Sequence, residues 1–222
     1  MSKTVLLWDI DGTLLLTGGA GKEAFNRLFE ELFNEKYIWQ SISPDGKTDP
    51  LIIEELFLQR FQRKPSPEEY DRVVSRYQDL MEEEIPRSPR FRVLPEAKNL
   101  LTKLSKQPHI IQGLATGNFE RVAWQKLRQA SLDSFFHFGG YGSDAPDRKS
   151  MTRKAFERAR HHLQTEPREV YVIGDTIHDI RAGKFIGAKT IAVCTGSTPR
   201  EELEPENPDH ILTDLSEWKL FL

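Results

Sequence analysis

Asp9 and Asp11 stand two residues apart at the end of the apolar run Val5–Trp8, within WDIDGT. Residues spaced by two at a strand end share a side, so both carboxylates can face one way while Ile10 faces the other. Acids held that close repel unless a proton or a cation lies between them. A hard divalent ion with oxygen ligands removes that cost, and Mg2+ is the expected one. Asp175 offers a third carboxylate after the apolar run VYVIG, with Asp179 four residues further on. Thr116, Gly117 and Asn118 follow IIQGLA, and the cations Arg148 and Lys149 precede SMTRKAFERAR. Each has an ordinary reading on its own: Asp-Gly-Thr is common turn chemistry, and a cation at a helix start commonly faces solvent. Three carboxylates, a hydroxyl and a cation converging on one edge are not a packing pattern; together they read as a site.

Convergence depends on the elements that carry these residues. TVLLWDID is too short for a helix and has no polar alternation, which predicts a strand buried on both faces. Glycines in GTLLLTGGAG then break the pattern. From about Ala20 to about Glu84 the chain turns helical: KEAFNRLFEELFNE places Phe25, Leu28, Phe29, Leu32 and Phe33 on one face. TDPLIIEELFLQRF and SPEEYDRVVSRYQDLMEEEI repeat the pattern. Their start signals are Thr48 or Asp49 before Pro50, and Ser66 before Pro67 with Glu69 beyond it. The proline-punctuated IPRSPRFRVLP reads as a linker. Thereafter helices alternate with the strands HIIQGLATGN, FFHFGG, EVYVIGDT and TIAVCTG, while REELEPENPD reads as a solvated turn. Alternation predicts parallel βαβ units. The expected fold is α/β: a doubly wound parallel sheet formed by residues 1–16 and 90–222, with an inserted all-α unit over 17–89. Such sheets bind ligands beyond the carboxyl ends of their strands, where every residue named above is placed.

The 222 residues suit one large domain or a domain with an insertion, and 38% hydrophobic residues suffice for a core. A net charge of −3 provides no global basic field for nucleic acid or an anionic membrane. The single cysteine, Cys194, excludes an intrachain disulfide and reads as a buried strand residue. No signal peptide or membrane-length apolar run is evident, so a cytoplasmic location is expected.

WDIDGTLL, LATGN and VIGDTIHDI resemble the first, second and fourth motifs of the haloacid dehalogenase superfamily of aspartate-nucleophile phosphatases. The helical block falls where that family inserts its cap, so the likeness spans nearly the whole chain and is to phosphoglycolate-phosphatase-like members with a Rossmann-like core. The resemblance implies that Asp9 attacks phosphorus to form an aspartyl-phosphate, and that Asp11 serves as acid and then base. It implies a metal held by Asp9, Asp175 and Asp11, the last through its backbone carbonyl. Thr116, Gly117 and Asn118, at a helix start, would hold phosphate oxygens. The third motif, normally a lysine ahead of a helix, departs from the common pattern here: Arg148 and Lys149 both qualify. Asp179 would orient a metal-bound water or that cation.

Within the cap, Gly18-Gly19-Ala20-Gly21 reads as a hinge or specificity loop, with Gly19 against the substrate, and Lys47 in PDGKTDP as a second contact. His178 would stand behind the catalytic groups, and His161 and His162 on the surface. The implied partner is a small phosphorylated metabolite acting on a monomer or homodimer. A phosphosugar mutase, and a phosphonate hydrolase using Lys47 or Lys36, share this framework. A dehalogenase lacks the second acid supplied here by Asp11, and a phospho-accepting signalling domain would need no inserted cap.

Overall fold

A computed structural model describes residues 3–220. Its central sheet has six parallel strands in the order β5-β4-β1-β6-β7-β8: β1 Thr4–Trp8, β4 Ile110–Thr116, β5 Gly139–Tyr141, β6 Glu169–Gly174, β7 Lys189–Val193 and β8 His210–Leu212. Every residue of β1 is buried. Leu6 and Trp8 face one core with α4 (Ala97–Ser105) and α5 (Glu120–Ala130). Val5 and Leu7 face the opposite core with α6 (Arg148–Leu163), and α7 (Ile177–Phe185) covers that same side through Gly183 against Val172. Burial on both faces explains the unbroken apolar run. The chain winds outward from β1 through β4 and β5, then returns to place β6 on the other flank of β1. That reversal makes the carboxyl end of β1 the switch point of the sheet.

Between β1 and β4 the chain leaves the sheet. The strand β2 (Leu15–Leu16) pairs antiparallel with β3 (Arg92–Val93), so the outgoing and returning segments form a two-stranded ribbon. Beyond it lie α1 (Ala20–Phe33), α2 (Asp49–Phe61) and α3 (Pro67–Arg87). Their apolar faces close on a core of their own that includes Phe25, Phe29, Phe57 and Leu80, and that takes in Phe119 and Val122 from around α5. Thr48 caps α2, and Ser66 with Glu69 forms the capping box that starts α3, satisfying amides that the first turn leaves without partners.

Four local expectations need correction. The short strand after α5 is Gly139–Tyr141, because Asp133–Phe135 forms a 3-10 turn and uses the first part of FFHFGG. IPRSPRFRVLP is not only a linker, since it ends α3 and supplies β3. The acidic segment from Arg200 holds a short helix, α8 (Arg200–Leu203), anchored by fully buried Leu203, and precedes an eighth strand. Cys194 lies one residue past β7 and is only partly buried, its thiol pushed up first by desolvation.

Gly140 permits the close seat of α6 on the sheet: a Cβ there would stand 2.3 Å from the Met151 carbonyl oxygen, which is helix backbone and cannot yield. We expect Gly140→Ala to destabilise the fold by about 1–3 kcal/mol, the usual cost of overpacking. Urea unfolding measures this; an unchanged midpoint would show that α6 tolerates displacement.

Candidate active site

The carboxyl ends of β1, β4 and β6 open into one cavity of about 510 Å³, whose lining includes Asp9, Asp11, Thr116, Gly117, Asn118, Arg148 and Asp175. Helices α1 to α3 contribute Phe25, Ile52 and Tyr77 to the same walls. The floor is acidic. Carboxylate oxygens of Asp9, Asp175 and Asp179 lie within 4.8 Å of one another, and all three residues are buried. Desolvation pushes Asp9 up to about 6, with Asp179 and Asp11 adding to the rise and Arg148 opposing it. Asp175 is also raised, first by desolvation and then by Asp9 and Asp179. A cluster so arranged favours a proton or a cation among its members.

Close approach of backbone shapes this floor. Gly12, at φ +81°, is where β1 turns away, and a Cβ there would come within 2.4 Å of an Asp175 oxygen. A Cβ on Gly196 would lie 1.7 Å from the same carboxylate. Thr13 donates to Asp175 at 3.3 Å. Asp175 is therefore confined between two bare backbone segments and aimed at Asp9.

Arg148 is the cation that reaches the acids. Its Nη2 stands 2.7 Å from Asp9 Oδ1, its Nε donates to Asp179 at 3.0 Å, and Nη2 also pairs with Asp179. Burial works against its charge, but Asp179 and Asp9 outweigh that and hold the guanidinium protonated. Asp179 meanwhile accepts from the Thr176 amide at 3.1 Å and hydroxyl at 2.7 Å, forming the capping box of α7. One carboxylate thus starts a helix and fixes the arginine. Lys149, the alternative, is exposed and lies over the Phe185 ring at 5.8 Å. The helical turn separates neighbouring residues by about 100°, so only one of the two can point inward.

Asp11 takes a different direction from Asp9. Its carboxylate accepts from Lys126 Nζ at 2.7 Å and from Asn118 Nδ2 at 2.7 Å. Its side chain is not one of the group formed by Asp9, Asp175 and Asp179, which leaves the backbone carbonyl as the atom through which the resemblance would have Asp11 meet a metal. Lys126 also donates to Asn118 Oδ1 at 2.5 Å, and Asn118 Nδ2 to Thr116 Oγ1 at 2.7 Å. Lys126 was not anticipated from the sequence. Its signal was present: it lies among the buried Val122, Ala123, Leu127 and Ala130 of α5, where a charge requires a partner.

The amides of Phe119 and Glu120, where α5 begins, already have partners within the protein. The Phe119 amide donates to Asp49 at 2.8 Å and the Glu120 amide to Ser143 at 2.9 Å. Thr116 keeps a hydroxyl proton with no acceptor among the described residues and lines the cavity. Gly117 lies beneath the segment before α2, since a Cβ there would meet the Lys47 carbonyl at 2.5 Å. That segment is latched to the sheet: the Asp49 amide donates to the Gly117 carbonyl at 2.8 Å and the Thr48 hydroxyl to the Pro146 carbonyl at 2.6 Å. Lys47 lines the cavity with its ammonium paired to Glu55. Gly19 also lines it and, at φ +103°, begins α1. His178 packs beside Gly46, its ring pushed below the ordinary histidine value chiefly by desolvation, while His161 and His162 are exposed.

A family model described as haloacid dehalogenase-like hydrolase matches residues 6–193. Among curated proteins, pyrophosphatase PpaX of Bacillus mycoides (strain KBAB4) is 25% identical over 98% of this chain and 95% of its own length. That of Anoxybacillus flavithermus is 26% identical over 98% and 95%. Among solved structures, a predicted phosphoglycolate phosphatase from Haemophilus somnus superposes with a TM-score of 0.76 at 17% identity, covering 100% of this chain and 98% of that one. CbbY from Rhodobacter sphaeroides, in complex with phosphate, gives 0.70 at 22% identity over 98% and 96%.

Two measurements test this geometry. If Arg148 is the working cation, Arg148→Ala should lower turnover by roughly 100-fold or more, as loss of a preorganised charge contact does, and Lys149→Ala should be nearly silent. The reverse ranking would reject the assignment. Asp49, 6% exposed, is pushed up to about 6, chiefly by desolvation, with Lys126 and the Phe119 amide opposing. A carboxyl raised in the folded state stabilises it below the unfolded value and loses that contribution as pH rises through the folded one. Asp49→Asn keeps an acceptor for the Phe119 amide and cannot ionise. Its stability relative to wild type should therefore improve by about 1 kcal/mol between pH 5 and pH 8. A pH-independent difference in urea unfolding would refute the burial argument.

Proposed function

Since the chain belongs to the haloacid dehalogenase-like hydrolases, we propose that it is a Mg2+-dependent phosphatase acting on small phosphorylated metabolites through an aspartyl-phosphate. The observation that carries this reading is the division of labour between Asp9 and Asp11. Arg148 fixes Asp9 on the buried floor beside Asp175, and Lys126 with Asn118 turns Asp11 to another part of the cavity. On this reading one acid attacks and the other serves as proton carrier. Residues 17–89 are read as the cap that shields this chemistry, with its core gripping α5.

The donor set suits a divalent cation: the Asp9 and Asp175 carboxylates are hard oxygen ligands, close together and raised in proton affinity by burial. Those two residues, with the Asp11 backbone carbonyl, would hold Mg2+, which supplies charge neutralisation at the phosphoryl oxygens. Asp179 is committed to Arg148 and Thr176 and so acts by orienting the cation.

In the first half-reaction an Asp9 oxygen bonds to phosphorus as the bond to the leaving oxygen breaks, and Asp11 gives that oxygen a proton. In the second, water attacks the aspartyl-phosphate, Asp11 takes its proton, and Asp9 is released as carboxylate. The Thr116 hydroxyl is placed to donate to a phosphoryl oxygen. Arg148 holds Asp9 in its attacking position, and Lys126 sets where Asp11 stands. A cavity of about 510 Å³ lies in the range that accommodates organic ligands, which supports a phosphorylated metabolite beside the pyrophosphate named for the relatives. The phosphonate hydrolase alternative, as drawn on Lys47 or Lys36, needs that lysine free. Lys47 is paired with Glu55, and Lys36 with Glu30 at 3.0 Å.

Asp9→Asn should reduce phosphate release by roughly 10⁴-fold or more, as for other nucleophile replacements, because an amide is a poor nucleophile. Wild-type enzyme should lose activity on chelation, regain it with Mg2+, and respond poorly to Ca2+, whose larger coordination number draws in additional carboxylate oxygens. Full turnover by Asp9→Asn, or after exhaustive chelation, would defeat the proposal.

A further inference from the structure

The cavity carries more positive charge than its floor consumes. Lys22, Arg90 and Arg92 line it together with Asp9, and all three are exposed toward its mouth. Lys22 lies in the first turn of α1, Arg92 in β3, and Arg90 just before β3, so the group straddles the outgoing and returning segments of the chain. The Arg90 Nη2 sits over the loop, 3.7 Å from where a Gly19 Cβ would stand.

These cations differ from the others in the lining. Arg148 is paired with Asp9 and Asp179, Lys126 with Asp11, and Lys47 with Glu55. Lys22, Arg90 and Arg92 make no ion pair or hydrogen bond among the described residues. Elsewhere arginines are tied down, as Arg27 to Glu83, Arg76 to Glu31, Arg121 to Asp79 and Arg158 to Asp144. The chain carries 34 acidic residues, so carboxylates are not scarce. Of the exposed lining residues, only Asp45 is an unpaired acid, against three unpaired cations.

A second, independent observation lies deeper. Tyr77 is 2% exposed and lines the cavity, yet its hydroxyl has no hydrogen-bond partner among the described residues. A Cβ on Gly21, the neighbour of Lys22, would come within 3.6 Å of that hydroxyl. That hydroxyl is a donor open to the cavity, and an anionic group held by Lys22 is a source of acceptor oxygens.

We infer that Lys22, Arg90, Arg92 and the Tyr77 hydroxyl form a second anion subsite, and that the substrate carries a carboxylate or second phosphate on its leaving group, away from the transferred phosphoryl. The statement about substrate rests on the phosphatase reading; the subsite itself does not. Exposed ion pairs contribute modestly one by one, but three together with the Tyr77 hydroxyl should favour a doubly anionic ligand by about tenfold or more. That preference should shrink as ionic strength rises.

The test compares n-alkyl phosphates with α,ω-alkanediyl bisphosphates and ω-phosphooxy carboxylates of matched chain length. It uses wild type and the variant Lys22→Gln/Arg90→Gln/Arg92→Gln, with Mg2+ present. Wild type should favour the doubly anionic compounds in kcat/KM at some chain length, mostly through KM, and the variant should bring that ratio toward one. Preference for carboxylate over phosphate ends, or the reverse, names the group bound. A ratio near one in wild type at every length, or a ratio unchanged in the variant, overturns the subsite. If no phosphate ester is hydrolysed, the phosphatase reading has failed, and calorimetry on metal-free protein tests the subsite alone. Hexane-1,6-bisphosphonate should then bind at least about fivefold more tightly than hexylphosphonate in wild type and lose that margin in the variant. Equal affinities in wild type would reject it.

Discussion

The burial of Asp9, Asp175 and Asp179 within 4.8 Å of one another is the constraint on which the site depends. Uncompensated, such a cluster would either take up protons or push its elements apart. Arg148 answers part of the charge from the first residue of α6, and Asp179 meets it while capping α7. The positions of two helices are thereby coupled to the geometry of Asp9. Desolvation, which makes the cluster costly for folding, also leaves Asp9 and Asp175 prepared to receive a cation. Stability and chemistry therefore pull in opposite directions at one point, as expected where a fold stores strain for function.

The second acid belongs to a separate circuit. Lys126, Asn118 and Thr116 join Asp11 to β4 and α5, while Asp49 reaches from the start of α2 to the Phe119 amide. Three amide or hydroxyl bonds, to Gly117, Phe119 and Pro146, hold the α2 end against the sheet. The inserted helices are thus docked by polar contacts at the cavity and by apolar packing of α3 on α5. This docking encloses a volume lined partly by Phe25, Trp39 and Tyr77, with Phe25 stacked on Tyr77 at 4.1 Å between ring centres. Charged groups on the floor and rim and aromatic surface between them suit a ligand with both charge and some body.

Much of this was legible in the sequence because it follows from local rules. A run such as VLLW without polar alternation can only be a strand covered twice, and α/β alternation then places Asp9, Thr116 and Asp175 at one sheet edge. The helices of the insert announced themselves through their periodicity and their caps at Thr48 and Ser66. What escaped were elements defined by their partners. β2 and β3 are two residues each and exist only because they pair, and β8 completes an edge that has no strong pattern of its own.

By itself, the sequence determined the fold class, the acids at the strand ends and the insertion between β1 and β4, since periodicity and chain order carry that information. Only the tertiary structure decided which cation serves Asp9: Arg148 and Lys149 are chemical near-equivalents in adjacent positions, and the turn of α6 aims one inward and leaves the other over Phe185. It alone joined Lys126 to Asp11 across 115 residues, and gathered Lys22, Arg90 and Arg92 from opposite ends of the insert onto one cavity. Such pairings arise from the packing of distant segments, where sequence spacing imposes no rule.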